Sequence, residues 1–231
     1  MVRLRQHVAR LVESVALQGR GATLSEAEVR RSLAAALRAC GHAESRVRIT
    51  FAPPRLFVSV ELFTPLPASL YREGVRCVTL PLGRDNPRAK DTRFIATAAD
   101  AYARLPPGVH EGLLVDGQGE LLEGLSSNFF AVRDGVLRTE PDRVLPGVTR
   151  AQVLELARDL VPLTLAPVRT SDVASLAEAF LTSVSRGVLP VVRIDDATLG
   201  SGKPGPVGLE LMRRFEALAE REAESVLEPP S

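Results

Sequence analysis

An α+β fold is what this chain predicts, and three observations carry the prediction. Two amphipathic helical patterns open the sequence, short β-like runs separated by turn dipeptides fill its middle, and one long helical pattern closes it. Strand runs joined by tight turns favour an antiparallel or mixed sheet over a regular array of parallel strands and crossover helices. With 231 residues, 45% of them apolar and 25% charged, the chain can bury a sizeable core, as one large domain or two small ones.

The elements follow in order. Leu4, His7, Val8, Leu11 and Val15 recur at helical spacing, so residues 4–17 read as an amphipathic helix that Gly19 and Gly21 stop. Ser25 with Glu28 three places on has the pattern of a capping box. It opens a second helix with Val29, Leu33, Ala36 and Leu37 on its apolar face, and Gly41 ends it. Two β-like runs, 46–51 and 56–62, flank Pro53-Pro54. The stretch Thr64-Pro65-Leu66-Pro67 is the best linker, so domains are expected at 1–66 and 70–231.

Beyond the linker, 75–82 reads as a strand and 91–104 as a helix closed by Pro106-Pro107-Gly108. Runs at 111–115, 121–123, 128–132 and 136–139, punctuated by Asp116-Gly117 and Asp134-Gly135, read as hairpin-rich strands. Thr149 is placed to cap a helix running to about Arg158. Strands are expected at 163–168, 178–183 and 188–194, with a last helix at 206–222.

Several function classes drop out. A formal net charge of +1, from 29 basic and 28 acidic residues, points to neither nucleic acid nor an anionic membrane as partner. Cys40 and Cys77 have no metal or redox spacing. Together with a first helix that follows Met1 almost directly, they make a cytoplasmic setting the simplest expectation. No apolar run reaches the length of a membrane span. Gly200-Ser201-Gly202-Lys203 imitates a phosphate loop, but Ala197 and Pro204 stand where that motif needs Gly and a hydroxyl residue, so a surface turn is the reading. The three histidines are scattered, and neither a nucleophile elbow nor a dinucleotide fingerprint is present. No metal site is expected.

What remains is a distributed pattern. It comprises Arg84-Asp85-Asn86-Pro87-Arg88-Ala89-Lys90-Asp91-Thr92-Arg93-Phe94, then Leu122-Glu123-Gly124-Leu125-Ser126-Ser127-Asn128-Phe129-Phe130, then Leu145-Pro146-Gly147-Val148-Thr149-Arg150, and then Phe180-Leu181-Thr182-Ser183-Val184-Ser185. His7-Val8-Ala9-Arg10-Leu11, Pro190–Asp195 and Gly202–Pro206 support it. In this order and spacing the pattern resembles the class-IV aminotransferase family, which includes branched-chain aminotransferases, D-amino acid aminotransferases and aminodeoxychorismate lyase.

The resemblance implies the two-domain architecture of fold-type IV pyridoxal-phosphate enzymes, with pyridoxal 5′-phosphate between the domains. It implies that Lys90, one of only two lysines, forms a Schiff base with the cofactor and later moves a proton. Glu123 would face the ring nitrogen, since an opposite charge favours its protonated form. Arg10 and the Gly147-Val148-Thr149 turn would hold the phosphate, the turn as free N–H groups at a helix start; Thr149 can serve there and still cap the helix. Ser183 and Val184 match a second phosphate turn, Val184 through its backbone only. Ser126, Ser127 and Asn128 would shape the loop behind the ring or form a purely structural turn. His7 receives no role.

Two departures stand out. The family usually places strands with a glycine-rich segment ahead of the helix holding His7 to Leu11, so the resemblance implies a truncated N-terminal domain. Arg186-Gly187 stands where many relatives have a small residue and an acid. The implied activity is amino transfer between an amino acid and a 2-oxo acid in a homodimer. Elimination releasing pyruvate, and a non-catalytic role binding cofactor or a protein partner, are the alternatives.

Overall fold

A computed structural model describes residues 1–227. The chain divides into two units, Leu66–Ala217 on the one hand and Met1–Pro65 together with the residues from Leu218 onward on the other.

In the first unit, α1 (Leu4–Ala16) and α2 (Glu26–Cys40) precede β1 (Ser45–Ala52) and β2 (Arg55–Leu62). Ser25 Oγ accepts from the Glu28 amide at 3.1 Å, the backbone half of a capping box. Gly41 closes α2 at φ 64°, the left-handed conformation glycine adopts most easily. The two strands pair antiparallel from Ser45↔Leu62 to Ala52↔Arg55. A lone hairpin is marginal in water, and here it gains a core. Leu4, Val8, Val29 and Leu33 of the helices pack with Val47, Ile49, Phe51, Leu56 and Val58 of the strands.

The second unit holds α3 (Ala68–Glu73), β3 (Val75–Leu80), α4 (Arg93–Tyr102), β4 (Glu111–Val115), β5 (Leu121–Gly124), β6 (Asn128–Arg133), β7 (Val136–Arg138), α5 (Val148–Ala157), β8 (Leu163–Thr164), a 3-10 helix at Thr170–Ser175, β9 (Glu178–Ser183), β10 (Gly187–Ile194) and β11 (Ala197–Thr198). Helix α6 (Pro206–Arg221) runs out of it into the tail. The strands form one mixed nine-stranded sheet in the order β11-β10-β3-β4-β5-β6-β7-β8, with β9 pairing both β10 and β6. That double pairing closes β10, β3, β4, β5, β6 and β9 into a ring, which leaves those strands without open edges. Residues two apart share a strand face. Leu113, Phe129, Ala131, Ala179, Leu181, Leu189 and Val191 build one core. The alternating set Phe130, Val132, Phe180 and Val188 packs with Val153 and Ala157 of α5 and Leu211 of α6, and Phe130 stacks on Phe180 at 5.1 Å.

Several expectations are corrected. Residues from Leu218 on are expected in the second domain, yet they complete the first unit. Val226 enters its core, the Met1 ammonium donates to the Glu224 carbonyl at 2.7 Å, Arg3 pairs with Glu222 at 2.7 Å, and Arg30 pairs with Glu224. The N-cap of α5 is Gly147, not Thr149, which lies inside the first turn. Gly147 is extended there and pressed on Asn128; a Cβ would meet the Asn128 Oδ1 at 2.1 Å. The strand expected at 163–168 stops at Thr164, short of Pro167, which has no N–H to continue a ladder. The run at 75–82 likewise ends at Leu80, before Pro81. Asp91 stays outside α4 because its carboxylate accepts from the Arg93 amide at 2.8 Å. The α3, 3-10 and β11 segments carry no periodic pattern long enough to be read in advance.

Candidate active site

The site assembles where β5 ends, β6 begins and β9 ends. Glu123 of β5 lies opposite Asn128 of β6, and Asn128 lies opposite Thr182 of β9. Period-two alternation puts Asn128 on the β6 face shared with Phe130, the face on which α5 packs.

Glu123 is only 3% exposed and collects three donors. Arg84 Nη1 donates to Oε1 at 2.6 Å; Asn128 Nδ2 and the Leu145 amide donate to Oε2 at 3.2 and 3.1 Å. Asn128 Nδ2 also donates to the Leu145 carbonyl at 2.8 Å. This one amide therefore ties the acid to the Leu145–Gly147 turn that starts α5. Burial pushes the Glu123 carboxyl above its usual range, while Arg84, the Leu145 amide and the charge of Lys90 pull it back.

Lys90 is exposed, in the loop between β3 and α4. Its charge acts on Glu123. A second link joins them, since Arg84 Nη2 donates to the carbonyl of Ala89, the residue before Lys90, at 2.8 Å. Val148 and Thr149 are buried in the first turn of α5, a helix start whose early N–H groups lack intrahelical acceptors. Arg150, in the same turn, reaches the Glu140 carbonyl at 2.8 Å and interacts with the charge of Glu123. Ser183 ends β9 and accepts from Arg186 Nε at 3.0 Å. Val184 follows it and is 68% exposed.

The structure thus brings Lys90, Glu123, Asn128 and the 147–149 turn together. Ser127 belongs to a different cluster, donating to Glu111 Oε2 at 3.1 Å. Arg10 stands on α1 in the first unit, 3.4 Å from His7 Nδ1. The motif reading gives no role to Arg84, although it stands inside the Lys90 segment, nor to the Glu111–Arg186 pair at 2.9 Å. Burial of the acid is the missing signal, and only the fold supplies it. Two clefts of about 460 and 360 Å³ lie elsewhere, along residues 158–163 and around Gly74 and His110.

The donor set suits pyridoxal phosphate. A buried carboxylate matches a protonated ring nitrogen, a lysine matches an aldehyde carbon, and a helix start with a buried threonine matches a phosphate. Two buried polar atoms in the same region, Thr182 Oγ1 and Arg150 Nε, have no protein partner among the described residues. Buried polar atoms in that state call for a ligand or water.

A family model described as amino-transferase class IV matches residues 1–194. This chain belongs to the class IV aminotransferase family. It is 29% identical over 160 residues to a putative branched-chain-amino-acid aminotransferase of Methanocaldococcus jannaschii, covering 66% of this chain and 56% of that one. To the branched-chain-amino-acid aminotransferase of Salmonella typhimurium it is 34% identical over 120 residues, covering 51% of this chain and 39% of that one. The chain therefore spans about half the length of the curated relatives it matches. Among solved structures, the branched-chain aminotransferase of the thermophilic archaeon Thermoproteus uzoniensis with norvaline superposes with a TM-score of 0.78 at 26% identity, covering 96% of this chain and 81% of that one. A further branched-chain amino acid aminotransferase, solved with pyridoxamine 5′-phosphate, superposes with a TM-score of 0.83 at 25% identity. The fold is that of the fold-type IV aminotransferases.

Proposed function

We propose that the protein binds pyridoxal 5′-phosphate and moves an amino group between an amino acid and a 2-oxo acid, with branched-chain amino acids as the substrate class the relatives' names favour. The observation that carries this reading is the Glu123 carboxylate, held by Arg84, Asn128 and the Leu145 amide within reach of the charge of Lys90.

When bound, the cofactor supplies an electron sink for the carbon that bears the amino group. The chain's own residues do the rest. Lys90 would hold the aldehyde carbon and, as a free amine, would accept and return a proton at its Nζ. Glu123 would hold the proton on the ring nitrogen. Asn128 keeps that acid beside the turn before α5. Val148 and Thr149, with Ser183 and the Val184 amide from the end of β9, are proposed to bind the phosphate oxygens. Ser126 and Ser127, both bonded to Glu111, would form part of the loop behind the ring. A cytoplasmic homodimer is part of the proposal. Among the described residues no helix is long and apolar enough to cross a membrane.

Purified protein is expected to be yellow, and borohydride should bleach it and leave the cofactor mass on the peptide containing Lys90. Protein that stays colourless with added cofactor overturns the reading. Turnover that needs a 2-oxo acid acceptor identifies transfer; pyruvate released without one identifies elimination instead.

A further inference from the structure

We propose that Arg84 is a positioning residue for the cofactor ring: it fixes the orientation of the Glu123 carboxylate and keeps it charged where it must meet the ring nitrogen. This rests on the cofactor reading above and extends it to a residue outside the cofactor contacts.

A carboxylate buried as Glu123 is favours the neutral form unless a cation stands beside it. A neutral acid could not hold a protonated pyridine nitrogen. Arg84 is the cation that touches it, at 2.6 Å, with both side chains nearly excluded from solvent at 9% and 4% exposure. A carboxylate offers about four acceptor positions. Asn128 and the Leu145 amide fill those of Oε2. Arg84 takes one on Oε1 and leaves its neighbour for a further donor. That open position on Oε1, alongside the guanidinium, is where a protonated ring nitrogen would be received.

Arg84 is itself immobilised. Its Nη2 donates to the Ala89 carbonyl at 2.8 Å, and its guanidinium lies 4.6 Å from the centre of the Phe94 ring, a cation–π contact. Because Ala89 precedes Lys90 and Phe94 lies in α4, one side chain couples the acid to the segment carrying the lysine. A lysine at position 84 would keep the charge but lose the fork that reaches Glu123 and Ala89 together.

The test compares two probes by titration calorimetry on cofactor-free protein: pyridoxal 5′-phosphate, and its carbocyclic analogue with a benzene ring in place of the pyridine. Wild type is expected to favour the pyridine form. Arg84→Gln should shrink that preference about tenfold or more, the size of a lost charge-assisted hydrogen bond, while affinity for the analogue stays near wild type. In a Glu123→Gln background the same change should shift the preference no further. Equal loss for both probes, or an unchanged preference, overturns the role of Arg84. Wild-type protein that binds neither probe overturns the cofactor reading itself. Should Arg84→Gln not fold, Arg84→Lys decides: it keeps the charge without the fork, so the preference for the pyridine form should fall only part of the way, and an unchanged preference or an equal loss for both probes overturns the role.

Discussion

Glu111 is fully buried at the start of β4 and receives donors from four side chains. Arg186 Nη1 lies 2.9 Å away, Ser127 and Ser126 hydroxyls donate at 3.1 and 3.3 Å, and the Tyr102 hydroxyl completes the set. Arg186 in turn reaches Ser183 Oγ and the Ser126 carbonyl at 3.0 Å each. Burial pushes the Tyr102 phenol upward, and the charge of Glu111 adds to the effect, so the tyrosine stays a donor at any physiological pH. Removing one partner of a buried pair leaves the other charge uncompensated. Arg186→Met is therefore expected to cost about 3–5 kcal/mol in denaturant unfolding. A loss below about 1 kcal/mol, the value of an exposed pair, would show that Glu111 is held without it. The same network explains the departure at Arg186-Gly187: the large cation, in the turn between β9 and β10, is matched by the buried acid at the start of β4.

At the scale of elements, the start of α5 depends on how closely Gly147 approaches β6. Asn128 is clamped between Glu123 and the Leu145 carbonyl, so its side chain cannot swing aside without breaking a bond to one of them. A methyl group at 147 would meet its Oδ1 at 2.1 Å. Gly147→Ala is expected to destabilise the protein by about 1–3 kcal/mol, the usual cost of overpacking, and to weaken cofactor binding by moving the turn. Denaturant titration and calorimetry read the two effects separately. An alanine variant with wild-type stability would mean that the turn can yield. Glycine's permitted dihedrals are not the reason for its place here, since φ is −66° and ψ is 134°. Space is the reason.

Across the whole molecule, the chain returns at its end to the unit where it began. Residues after Leu218 join Met1–Pro65 through an antiparallel bridge of Val2 with Ala223 and through ion pairs of Arg3 with Glu222 and Arg30 with Glu224. The bond from Arg3 holds the Glu222 carboxyl below its ordinary range. Its contribution is thus present above the unfolded value of 4.5 and is lost as pH falls through the lower folded value. Hydrogen exchange should show the Glu224 amide, bonded to the Met1 carbonyl at 2.8 Å, losing protection in that window after correction for intrinsic rates. Glu222→Gln should remove part of that pH dependence. Protection that does not change with pH would assign the docking of the tail to Val226 burial and the backbone bonds of Val2 and Met1 rather than to the Arg3–Glu222 pair.

The sequence by itself determined the fold class and the family. Helical and alternating periodicities are local properties, and four short motifs in a fixed order survive without any knowledge of packing. It also marked Lys90, Glu123 and the Gly147–Thr149 turn as groups to be sought together, because residue type and spacing are enough for that. Tertiary structure alone decided which side chains serve each acid. Arg84 pairs with Glu123 across 39 residues and Arg186 with Glu111 across 75, and ring closure of the sheet, rather than any sequence pattern, sets those meetings. It alone placed the tail with the first unit, since a helix pattern gives the direction of a face but not the partner that covers it. Burial is a property of the assembled fold, and burial is what turns an ordinary glutamate into one whose charge must be held by a neighbour.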